Sequence, residues 1–232
     1  MIGLKKGYLI RKYSVVVLRA VTAERGRYLM KILICQPKLE PKLRQLHHEL
    51  IAHPGIDAVI VPEGYMNENV EEACQLAHEF KVAIIGGYRR MQERPKDRAI
   101  AIDREGRIVL DRIKYSDTAF ANVDGWRVGH ILCDELIQQG LRTEDQRSAD
   151  LIVHPIGVGM FSEAQFDEWI DKARAIAAER GCYMIGVSHA DGSYGDTGVS
   201  ISIAYCFNRQ GETVFIARGE AGSRVVELEL GG

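Results

Sequence analysis

Gly129-His130-Ile131-Leu132-Cys133-Asp134-Glu135 is the stretch with the clearest potential for chemistry. Its apolar residues read as a short buried strand, and the two acids after Cys133 end the apolar run, leaving the thiol on a turn near solvent. A thiolate lifted out of a sheet can be reached by substrate, and the backbone N–H groups after it can point at a developing oxyanion. Such a cysteine also needs a base to take its proton and a cation to steady the charge. Two further strand ends carry groups of those types. Val59-Ile60-Val61-Pro62-Glu63-Gly64 sets a carboxylate on a turn, and Asp111-Arg112-Ile113-Lys114 ends a strand on a lysine. Taken singly, each is ordinary: a solvated turn acid, a strand-edge lysine, a core thiol.

Other groupings compete. His130, His154 and His189 offer Cys133 a histidine base or the start of a metal site, but their spacings match no zinc pattern. Gly157-Val158-Gly159-Met160-Phe161-Ser162 resembles a dinucleotide fingerprint without its third glycine. Gly86-Gly87-Tyr88-Arg89-Arg90 reads as a turn that ends a strand near the site. Tyr88, Trp126, His154 and Asp134 are the expected substrate-pocket residues, Asp134 through its backbone N–H.

The elements that must position these groups follow from hydrophobic periodicity. Strands are expected at 31–36, 56–61 and 82–85, the last closed by Gly86-Gly87, with helices at 38–52 and 68–80 between them. A hairpin follows, 99–102 with 108–113. Residues 134–147 read as a polar helix, 149–153 as a strand, and 166–179 as a long helix capped by Gly181. Strands at 182–188 and 199–207 lead through a turn at 208–211 to a last strand at 213–217. No internal repeat or low-complexity linker divides the chain, so residues 30–232 are read as one domain.

Composition narrows the function classes. The 232 residues are 46% hydrophobic, enough for one sizeable core, and the net charge of −2 gives no reason to expect nucleic acid as a partner. No run approaches the roughly 20 apolar residues of a membrane span. Five cysteines, an odd number with no C-x-x-C pair, suit a reducing cytoplasm. Residues 1–29 are basic. They read either as a leader or as sequence upstream of a start at Met30, where the first strand opens, and the second reading is preferred.

The order of the three strand ends, Glu63, Lys114 and Cys133, resembles the carbon–nitrogen hydrolase (nitrilase) superfamily. The likeness extends over most of residues 30–230, through "WIDKARA" at 169–175, "CYMIG" at 182–186 and Gly198-Val199-Ser200. The resemblance implies an α/β fold, a four-layer α-β-β-α sandwich, and a homodimer or higher assembly. It also implies hydrolysis of a small amide or carbamoyl compound through a Cys133 thioester, with no cofactor and no metal. Glu63 would be the proton carrier, and Lys114 with the Asp134 N–H would stabilise the oxyanion.

The chain also departs from that pattern. Only residues 115–132 separate Lys114 from Cys133, where the family has a longer connection carrying a further glutamate. The acids available in this segment are Asp117 and Asp124. After the cysteine stands Asp134-Glu135-Leu136-Ile137-Gln138, not the family's aromatic, acid and Arg-Phe-Pro-Glu-like run. Two alternatives therefore stand beside the amidase reading: an inactive member serving as a binding or assembly protein, and a thiol enzyme using His130 or His154.

Overall fold

The computed structural model describes residues 28–145, 147–191 and 200–230. The basic stretch up to residue 27 and Gly198-Val199 lie outside the described residues.

Two six-stranded sheets face each other. The first contains β1 (Tyr28–Ile34), β2 (Ala58–Ile60), β3 (Ala83–Arg89), β4 (Asp97–Ile102), β5 (Ile108–Ile113) and β12 (Arg224–Leu230), in the order β12-β1-β2-β3-β4-β5. The second contains β6 (Phe120–Val123), β7 (Trp126–His130), β8 (Leu151–Pro155), β9 (Tyr183–Val187), β10 (Ile203–Phe207) and β11 (Thr213–Arg218), in the order β11-β10-β9-β8-β7-β6. Helices α1 (Arg44–Ala52) and α2 (Val70–Phe80) cover the first sheet, and α3 (Glu135–Gln138) and α4 (Glu163–Arg180) the second.

Side-chain alternation builds the four layers. In β2, Ala58 and Ile60 face the other sheet with Ile85, Val128, Val153 and Ile185, while Val59 faces α1 and α2 with Leu46, Leu50 and Ala73. A strand apolar on both faces is what a parallel sheet packed between two layers requires. On the other side, α4 buries Phe166, Trp169, Ile170, Ala173, Ile176 and Ala177, a helical stripe, against Ile152, Met184 and Tyr205. Its ends are marked in sequence. Ser162 accepts from the Gln165 N–H at 3.1 Å, and Gly181 takes the left-handed conformation at φ 60°.

Several expected boundaries move, each for a local reason. The helix expected from residue 38 begins at Arg44, after Pro37 and Pro41, and Leu39 is exposed. The polar helix expected over 134–147 shrinks to α3, with Gly140 at φ 59° soon after its end. β3 is not closed by Gly86-Gly87 but runs through them to Arg89. Two strands, β6 and β12, lie outside the expected set. Asp124 and Gly125 both have positive φ, 53° and 96°, and form a two-residue turn that pairs Val123 with Trp126. β12 alternates Val226 and Leu228 inward and pairs antiparallel with β1.

Topology brings the chemistry to one end of the sandwich. β1, β2 and β3 are parallel, and the β3–β4 and β4–β5 antiparallel pairs turn β5 back to their direction. The turn after β2 and the end of β5 therefore emerge together, and the Lys114–Asp134 pair at 2.7 Å sets the segment after β7 beside them. A bond from the Glu63 N–H to the Ile156 carbonyl, 3.3 Å, ties the two sheets there. Among the described residues no helix is long and apolar enough to cross a membrane.

Candidate active site

Glu63 owes its position to bare backbone beneath it. A Cβ on Gly86 would lie 2.4 Å from Val61 Cγ2, and one on Gly87 would lie 2.8 Å from the Glu63 Cα. The two glycines of β3 let the Pro62-Glu63-Gly64 turn settle directly on the strand, with Gly64 at φ 68°. From the opposite side the His189 Nε2 reaches the Glu63 carbonyl at 3.2 Å.

Cys133 sits on a strained elbow, its φ at 45°, in the left-handed region that non-glycine residues rarely occupy. Three contacts hold it. Its N–H donates to the Pro155 carbonyl at 2.9 Å, extending the β7–β8 ladder past the end of β7. Its carbonyl is met by His154 Nε2 at 2.8 Å, and His154 Nδ1 lies 2.5 Å from the Tyr205 hydroxyl. Because a carbonyl can only accept, Nε2 carries the proton and Nδ1 accepts from Tyr205. Tyr205 fits there because its β-sheet partner is Gly186, where a Cβ would come within 2.3 Å of the ring. His154 therefore lies under the elbow, fully buried and with both nitrogens used. It supports the cysteine and does not serve as a base.

Glu135 joins the cysteine elbow to the lysine strand. Its two oxygens take a bidentate pair from Arg112, Nη1 at 2.9 Å and Nη2 at 2.7 Å. They also accept the Leu132 N–H at 2.6 Å and the Tyr115 N–H at 2.5 Å. Both side chains are almost wholly buried, 4% exposed for Arg112 and 1% for Glu135. In sequence Glu135 reads as an acid that ends an apolar run. Its burial depends on Arg112, whose place on the inward face of β5 with Leu110 and Lys114 is the one signal of the pair.

These supports place Lys114 Nζ 2.9 Å from Glu63 Oε1 and 2.7 Å from Asp134 Oδ1. Burial pushes the Glu63 carboxyl up to about 7, although Lys114 pulls it down. Burial acts against the Lys114 ammonium, but Glu63, Cys133 and Asp134 together outweigh it and raise its pKa. The Cys133 thiol is pushed up by burial and by Glu63, while Lys114 and a hydrogen bond from the Gly157 backbone oppose the rise. At rest the cysteine therefore keeps its proton.

The remaining expected residues lie elsewhere. Tyr88 faces the helix layer, where its hydroxyl bonds the Asp111 carboxylate at 2.9 Å and accepts from Arg90 Nε at 3.0 Å. Trp126 packs between the sheets at the start of β7, the opposite end of that strand from Cys133. His130 is fully buried, and that burial, with the Arg112 charge in addition, lowers its pKa. The Gly157-Val158-Gly159 run serves close packing. A Cβ on Gly157 would touch Glu63 Oε2 at 3.0 Å, and one on Gly159 would lie 2.1 Å from the Ile201 carbonyl oxygen.

Replacing Glu135 by Gln leaves the Arg112 charge buried without its counter-ion, so unfolding should cost about 3–5 kcal/mol less in denaturant titrations. The double variant Arg112→Met/Glu135→Leu should lose clearly less than the sum of the single losses. Acid also has a signed effect on stability. Burial holds His130 down to about 3 and His154 down to about 4, both below their unfolded value of 6.5. The stability of each neutral form is thus complete above pH 6.5 and lost as pH falls below it, by roughly 1 kcal/mol per pH unit per histidine. Glu63, raised from 4.5 to about 7, works in the opposite direction over that window. Urea midpoints between pH 7 and 4.5 should therefore fall less steeply in His130→Leu than in the wild type.

At the level of sequence, no family model and no curated protein matches the chain. Solved structures do. A carbon–nitrogen hydrolase from Helicobacter pylori superposes with a TM-score of 0.72 at 15% identity, over 87% of this chain and 89% of its own. A variant of an amidase from Nesterenkonia sp., with the acetamide moiety of fluoroacetamide added covalently at its active-site cysteine, gives 0.74 at 14% identity, over 89% and 92%. A Saccharomyces cerevisiae member of branch 10 of the nitrilase superfamily gives 0.70 at 13% identity, over 87% and 90%. At such identities the likeness is one of fold. The chain has the α/β sandwich of the carbon–nitrogen hydrolases.

Proposed function

We propose that the protein hydrolyses a non-peptide carbon–nitrogen bond in a small amide or carbamoyl compound. Cys133 is the nucleophile, Glu63 the proton carrier and Lys114 the fixed cation. The observation that carries this reading is the buried Glu63–Lys114 pair at 2.9 Å, set beside a cysteine on a strained elbow. The amidase structure with a covalent adduct on its cysteine supports it by fold.

The chemistry follows from the geometry. Glu63 takes the thiol proton as sulfur attacks the carbonyl carbon. The oxyanion that forms is met by Lys114 and by the Asp134 N–H, which follows the elbow; one such donor is worth roughly 3–4 kcal/mol. Collapse breaks the C–N bond, and Glu63 passes its proton to the leaving nitrogen. Water then gives a proton to Glu63 and attacks the thioester, and release of the acid returns that proton to sulfur. A carboxyl group with a pKa near 7 suits an acid–base carrier that must work in both directions. A homodimer or larger assembly is part of the proposal, carried by the resemblance alone.

With a panel of small amides, Cys133→Ala and Glu63→Gln should each lower kcat at least about 10³-fold. Lys114→Ala should lower it at least about 10²-fold, with circular dichroism unchanged. Because Glu63 must be ionised to accept the thiol proton, kcat/KM should rise with pH through about 7. Retained turnover in Glu63→Gln and Lys114→Ala would refute the assignment.

A further inference from the structure

The Asp134 carboxylate is not required by the reaction steps above, in which only its N–H takes part. Yet its Oδ1 lies 2.7 Å from Lys114 Nζ, and its Oδ2 accepts from the Tyr115 hydroxyl at 2.9 Å and from the Gln138 amide. The side chain is 34% exposed, against 9% for Lys114. The acid therefore stands at the solvent side of the site, one residue from the nucleophile.

The charge balance of the reactive form, with Glu63 ionised, is negative. Lys114 contributes one positive charge and Asp134 one negative. Glu63 and Cys133 then share a single proton and together carry one negative charge whichever holds it. The reactive cluster is therefore net negative. The nearby arginines are already committed: Arg112 to Glu135, Arg89 to Asp97 and Asn67, Arg142 to Asp117 and the Tyr115 carbonyl. Among the described residues none of these cations is left over for a carboxylate on the substrate.

We propose that Asp134 is a specificity determinant, selecting amides whose acyl portion is neutral or cationic and rejecting those whose acyl portion carries a carboxylate. The inference rests on the reading of Cys133 as the nucleophile. A second anion within several ångströms of Asp134, in a site poorly screened by water, is repelled, and a cation there is drawn in.

Three small alkylating reagents of different charge test this without requiring turnover: iodoacetamide, iodoacetate and the 2-bromoethyltrimethylammonium ion. Modification of Cys133 is followed by mass spectrometry, with each rate divided by that of a free thiol under the same conditions. Iodoacetate should lag iodoacetamide by about tenfold or more, and the cationic reagent should at least match iodoacetamide. Asp134→Asn should remove most of the iodoacetate lag, Asp134→Glu should keep it, and added salt should narrow it. Mere loosening of the site would shift all three reagents alike. Rapid reaction with iodoacetamide and no lag for iodoacetate, or a lag unchanged in Asp134→Asn, would overturn the charge selection and leave the hydrolase reading standing. A Cys133 no faster than Cys74 with all three reagents would overturn both.

Discussion

One buried carboxylate holds the site together. Glu135 receives four hydrogen bonds, two from Arg112 on β5, one from Leu132 before the elbow and one from Tyr115 after the lysine. The lysine strand and the cysteine elbow belong to different sheets, and nothing in either sheet's own ladder fixes the distance between them. The Glu135 cross-brace does. A buried ion pair of this kind adds little net stability, because desolvation offsets most of the attraction. Its value lies in geometry, since one carboxylate accepts from both Arg112 Nη groups and from both backbone N–H groups in one arrangement.

The same economy of space recurs beneath the other two groups. Gly86 and Gly87 give up side chains so that the Glu63 turn can rest on β3, and Gly186 does so for the Tyr205 ring under His154. Strain at Cys133 is sustained by the Pro155 and His154 contacts from below. Each functional atom is thus placed by a packed layer behind it. The short Lys–Cys connection is compatible with this, because most of its length is spent on the β6–β7 hairpin and Asp134 supplies the acid beside Lys114 from the cysteine's own turn.

Glu63 was legible because β2, buried on both faces, leaves a continuous apolar run whose stop is easy to see. Lys114 was legible as the residue after the end of β5, although β5 is exposed on one face, and Cys133 as the end of the apolar Ile131-Leu132 pair that follows β7. β7 was harder, since Arg127 and Gly129 interrupt its run; Gly129 is there because the Phe120 ring lies where its Cβ would be, 2.6 Å away. The Asp124-Gly125 turn and the alternation in β12 were readable signals that the apolar runs overshadowed. Glu135 and the Asp134 side chain were not readable in this way. Their roles depend on partners in another sheet, and local pattern carries no record of them. Tyr88 stands in what reads as a strand-ending turn and Trp126 in the short Lys–Cys connection, but the side of the strand decides Tyr88 and its direction decides Trp126.

The proposed hydrolysis depends on an acyl group passing through the sulfur of Cys133. Intact-protein mass spectrometry after rapid acid quench, during turnover of a small amide, tests it most directly. The expected result is a mass gain equal to the acyl group, localised to the Cys133 peptide, discharged by hydroxylamine and absent in Cys133→Ala. Consumption of the amide by Cys133→Ala at the wild-type rate, or turnover with acyl found on another residue, would contradict it.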